Sequence, residues 1–175
     1  EVVDCLHSKK PQKIDTGNNI LLQLNNILDD GTIDLSEKYF ISDDDYKKWT
    51  SRIELQGGDC VVTNVGRIAA VAQIPNGIRA ALGRNMTGIR PTKIPASFLI
   101  AYLTSSHMES EVQKKKDAGA VMDALNVKNI YLLNITIPPE DILNEFDNLV
   151  SPIRKLMNYL VNRDYTLRQA RDLLL

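Results

Sequence analysis

Apolar residues recur at alternating intervals of four and three from Ile142 to Leu174: Ile142, Phe146, Leu149, Ile153, Leu156, Leu160, Leu167, Ala170 and Leu174, with Arg163 the one polar member. A heptad seam kept over more than four repeats marks a helix that packs lengthwise against another helix. A lone helix cannot bury such a stripe, so the seam needs a partner; folding back on its own domain is the alternative. Pro138-Pro139 stops what precedes. The chain therefore divides into a globular part, 1–138, and a spacer or dimerisation helix, 139–175. Ser151-Pro152 falls inside the seam and predicts a kink or restart there, because proline has no donor for the helix ladder.

The globular part is organised around Gly57 to Pro91. Cys60 to Val65 and Ile68 to Ile74 are apolar and β-branched, with Gly66 between them, and read as two strands. Asn76-Gly77 follows Pro75 and predicts a tight hairpin turn into a third strand, and then a fourth. Asn19 to Ile27 reads as a further strand, with Asp29-Asp30-Gly31 as its turn. Ser42 is a helix cap, Asp43, Asp44 and Asp45 suit the first turn, and Tyr46 and Trp49 form the buried stripe of a helix running to about Arg52. That helix start accounts for the three aspartates without a cation. Pro95 opens a helix over Ala96 to Ser105, with Phe98, Leu99, Tyr102 and Leu103 at core spacing. A second helical piece spans His107 to Asp117, and Ile130 to Ile137 reads as a strand. The fold class is mixed α/β (α+β): a twisted, mainly antiparallel sheet with flanking helices, followed by a long coiled-coil helix.

The net charge is −1, which alone argues against a nucleic-acid binder. Its distribution argues the other way. Residues 1–59 carry a net −5, residues 60–116 a net +6, and residues 117–175 a net −2. From Cys60 to Met108 there is no acidic residue, yet Arg67, Arg79, Arg84, Arg90 and Lys93 lie there. A sheet with loops of one sign can hold a polyanion, and phosphate contacts depend on the local field. Arg matches guanine and Asn or Gln matches adenine in the major groove. The base-reading candidates are therefore Asn64, Arg67, Gln73, Arg79, Arg84 and Asn85. The phosphate candidates are Lys9, Lys10, Lys93, Lys114, Lys115 and Lys116. Arginines scattered over several faces, and a solvated loop at Lys9 and Lys10, are the alternatives.

Other classes have little support. Cys5 and Cys60 lack CxxC spacing and read as buried thiols of a reducing, cytoplasmic setting. Only His7 and His107 are histidines, and Cys5 with His7 falls short of the three or four ligands of a zinc site, so no metal is expected. No apolar run reaches membrane-spanning length. The chain begins at Glu1, and a trimmed N-terminus is expected. No phosphate-binding glycine loop, paired carboxylates or nucleophile set appears, so no catalytic residue is assigned.

Several segments resemble the specificity subunit of type I restriction–modification systems. Gly58-Asp59-Cys60-Val61-Val62-Thr63-Asn64-Val65-Gly66 is similar to that family's Gly-Asp strand, and Arg79 to Pro91 to its segment ending in Ile-Arg-Pro. Phe98-Leu99-Ile100-Ala101-Tyr102-Leu103 resembles a family helix. Asn126-Val127-Lys128-Asn129-Ile130, Ile137-Pro138-Pro139 and Leu149-Val150-Ser151-Pro152-Ile153 follow in the family's order. The chain departs at Gly119-Ala120-Val121-Met122, where members carry a Gly-Ser-Thr-Gln-like loop, and at Arg84, where they tend to carry serine. The resemblance implies a DNA target recognition domain followed by one spacer helix, reading one half of a bipartite double-stranded DNA site. It implies a non-catalytic chain that directs methyltransferase and restriction subunits, with S-adenosylmethionine on the methyltransferase partner and no cofactor of its own. It further implies antiparallel pairing of two such helices, within a homodimer or with a second half-subunit. A coiled-coil dimerising adaptor without specific DNA binding is the alternative.

Overall fold

The structure, a computed structural model, describes residues 1–117 and 124–174, leaving aside the side chains at 162, 165, 168 and 169. Its centre is β4 (Cys60–Thr63), four residues buried without exception. Alternation sends Val61 into one core cluster, with Leu22, Ile27, Leu55, Leu82 and Met86. Cys60 and Val62 enter another, with Leu99, Ile100, Leu103, Met108 and Val112. A strand covered on both faces reads as an unbroken apolar run.

Around β4 lies a four-stranded antiparallel sheet in the order β1 (Val2–Asp4), β7 (Met86–Ile89), β4, β5 (Val71–Gln73). A second sheet sets β6 (Ala80–Ala81) between β2 (Ile20–Leu21), parallel to it, and β3 (Glu54–Leu55), antiparallel. Asn76-Gly77 does turn the chain, with Gly77 at φ 82° and Ile78 N–H donating to Pro75 O at 3.2 Å. It does not close the expected hairpin: β5 and β6 belong to different sheets, and the turn carries the chain between them.

The second sheet brings backbones close at Gly83, where an added Cβ would stand 1.8 Å from the Leu22 carbonyl oxygen. Since neither backbone can yield without breaking the pairing, Gly83→Ala is expected to cost about 3 kcal/mol, the upper end of ordinary overpacking. A shift of the urea midpoint at unchanged slope measures it.

Ser42 caps α1 (Asp43–Trp49) by accepting from Asp45 N–H, and Trp49 is buried with Leu21, Ile41 and Ala81. Pro95 precedes α2 (Ala96–Leu103), and Ser105 caps α3 (Ser106–Lys115). Two expected strands differ. Asn19 to Ile27 keeps only β2, because Gln23 and Asn26 cap a 3-10 turn at Leu24–Asn26. Ile130 to Ile137 is not a strand: Asn126 caps α4 (Val127–Tyr131), and residues 133–137 pair with no strand among the described residues. Its apolar residues serve packing instead, with Leu133 and Ile135 against the second core cluster.

The last helix, α5 (Glu140–Asp172), runs unbroken through Pro152, against the expected restart. Pro152 and Asn148 both lie exposed, so solvent can serve the Asn148 carbonyl that proline leaves without a donor. One face of α5 packs on the globular part. Leu143 is buried, Phe146 stands edge-on to Phe98 with centroids 5.8 Å apart, and Ser97 Oγ donates to Asp147 Oδ1 at 2.6 Å. Arg154 donates to the carbonyls of Gly31 (2.6 Å) and Asp30 (3.3 Å). Phe146, assigned to the seam, therefore belongs to the inward face. Ile142, Leu149, Ile153, Leu156, Leu160, Leu167 and Leu174 remain exposed. Among the described residues, no helix is long and apolar enough to cross a membrane.

Candidate nucleic-acid interface

The turn from β6 to β7 presents Arg84 and Asn85, both exposed. Asn85 takes φ 61°, a left-handed conformation that asparagine tolerates better than most residues. Its backbone is tied to the end of β4, where Asn64 N–H donates to Asn85 O at 2.8 Å. The backbone being fixed, the two side chains are left free to meet a ligand. They line a cleft of ≈ 500 Å³ with Lys10, Leu21, Gln23, Leu24 and Asn25. Lys10 is steadied by the Tyr39 ring, 4.1 Å from its Nζ. Among the described residues, Arg84 has no hydrogen-bond or ion-pair partner. Gln23 spends its NH2 on the Leu21 and Leu22 carbonyls (3.1 and 3.0 Å), so the concavity offers base edges the Arg84 guanidinium, the Asn25 and Asn85 amides and the Gln23 carbonyl oxygen, and offers phosphate the Lys10 ammonium.

Gln23 and Asn25 were not legible as site residues, because Asn19 to Ile27 reads as a continuous strand. The available signal was the Gln23–Asn26 spacing, which permits the reciprocal cap that breaks that strand.

The remaining candidates are dispersed. Asn64 is 7% exposed, its Nδ2 donating to Leu125 O at 2.8 Å and lying 3.0 Å from Thr87 Oγ1. Gln73 is 6% exposed and donates to Ala96 O at 2.7 Å. Both are internal ties, and neither presents its amide to solvent. Arg67 pairs with Asp29 at 3.2 Å, and Arg79 pairs with Glu54. Arg90 grips Asp59 through Nε (2.9 Å) and Nη2 (2.6 Å), which holds its guanidinium pKa above the usual value. Lys9 and Lys93 are exposed, and Lys114 pairs with Glu111 at 3.1 Å. Lys115 and Lys116 are half-buried at the end of α3, and these lysines do not line the Arg84 cleft. Gly119-Ala120-Val121-Met122 lies outside the described residues.

No protein-family model and no curated protein matches the chain. Among solved structures it is similar to a chain from the type I R-M system, in a study of that system's complex assembly and conformational transition. The identity is 17% and the TM-score 0.57 over 98% of this chain, and the match spans 42% of the other chain's length. At that identity the likeness is one of fold.

Proposed function

We propose that this chain is one DNA-reading half of a type I restriction–modification specificity subunit. It carries no catalysis itself, recognises one part of a split double-stranded site, and brings methyltransferase and restriction subunits to it in the cytoplasm. S-adenosylmethionine belongs to the methyltransferase partner in this reading. The observation that carries it is the Arg84–Asn85 turn, fixed in backbone and free in side chains beside Gln23, Asn25 and Lys10. The likeness of fold to a type I R-M chain supports it, as does the exposed seam on α5. In this proposal the seam pairs with a second copy or a second half-subunit.

The test is selection of a preferred duplex from a random library, followed by titration of that duplex and of random DNA. Arg84→Ala is expected to weaken the selected site by about 1–3 kcal/mol and random DNA far less. Equal loss on both would remove the base-reading role. The exposed seam equally suits a dimerising adaptor, which would bind no duplex. A DNA reader instead loses affinity steeply as salt rises.

A further inference from the structure

The geometry points to a three-ligand site for a divalent transition metal, zinc by donor type, formed by Asp4, Cys5 and His7. Neighbouring residues in a strand point to opposite faces, but the chain leaves β1 after Asp4. A carboxylate oxygen, the Cys5 sulfur and a His7 ring nitrogen thereby come within 4.8 Å of one another. His7 Nε2 already lies 2.7 Å from Asp4 Oδ2. All three residues line one cavity of ≈ 440 Å³, shared with Asn64, Asn85 and Asn126.

One feature beyond proximity suits a metal. The donor set is mixed sulfur, nitrogen and oxygen. Calcium and magnesium take oxygen, whereas zinc accepts all three and commonly keeps a fourth position for water, which the cavity can supply. Binding releases the thiol proton to solvent and replaces the His7–Asp4 hydrogen bond with two bonds to the ion. Asn85 lines the same cavity, so an ion there sits behind the Arg84–Asn85 turn.

Titration of the metal-free protein with Co²⁺ tests this directly. The expected result is one equivalent bound, with a thiolate-to-cobalt charge-transfer band and tetrahedral d–d bands, both lost on adding Zn²⁺. Cys5→Ser should abolish the charge-transfer band. Because Cys5 also lies in the core, His7→Ala and Asp4→Asn at the exposed edge decide the matter, each weakening binding by about tenfold or more. No charge-transfer band in the wild type, or unchanged binding in both edge variants, would overturn the site.

Discussion

Replacing Arg90 with methionine is expected to destabilise the fold by about 3 kcal/mol, the lower end of the range for stranding one member of a buried ion pair, since the Arg90 side chain is 27% exposed. Asp59 is 2% exposed and takes two hydrogen bonds from Arg90, with Gln56 N–H supplying a third at 2.9 Å. Without the guanidinium, its carboxylate keeps one donor and no countercharge. Arg90 also donates to Glu54 O at 2.8 Å, and its backbone pairs with Glu1. One residue thus joins the start of β3 and the entry to β4 through its side chain, and the neighbourhood of β1 through its backbone. Urea unfolding measures the loss. The double variant Arg90→Met with Asp59→Leu should be more stable than Arg90→Met alone, because it removes the stranded charge. A single variant within 1 kcal/mol of wild type would mean that water already serves Asp59.

The same pair explains what the sequence conveyed and what it hid. Gly58-Asp59 and Arg90-Pro91 stand out as separate motifs some thirty residues apart, and nothing local says that they meet. The charge map misled for the same reason. Its acidic first third and basic middle third look polarised along the chain. In space, Arg67 finds Asp29, Arg79 finds Glu54, and Arg90 finds Asp59. Three of the five basic residues in the acid-free stretch are neutralised by carboxylates from the first third. Among the described residues Arg84 and Lys93 are left without such partners, and of these two Arg84 sits in a cleft with amides.

Local signals fared better. The Ser42 cap, the apolar runs of β4 and β5, the Pro95 helix start and the length of α5 all follow from short-range chemistry, and all are present. Pairing partners were out of reach. The parallel pairing of β2 with β6 joins residues sixty apart through two residues each, too little for a periodic pattern. Side-chain direction was equally hidden at Asn64 and Gln73, since a strand covered on both faces has no solvent side to read.

On the full chain, Leu149→Glu together with Leu156→Glu is expected to convert a self-associated species into a monomer while leaving the fold intact. The two leucines are 66% and 57% exposed and make little use of their own domain. Surface changes of that kind stay within about 0.5 kcal/mol of neutral. In a two-fold pairing each position occurs twice, so four buried leucines are lost, forfeiting about 6–12 kcal/mol at 1.5–3 kcal/mol each. A micromolar dimer is held by only about 8 kcal/mol, so light scattering should report half the mass. Deleting the helix would be a poorer test, because Leu143, Phe146 and Arg154 pack on the globular part and would go with it. Leu143→Ala makes the complementary control: it should lower the melting temperature without changing the mass. A wild-type chain that is already monomeric would sink self-pairing, and the unchanged seam would then be matched to a second half-subunit on another chain.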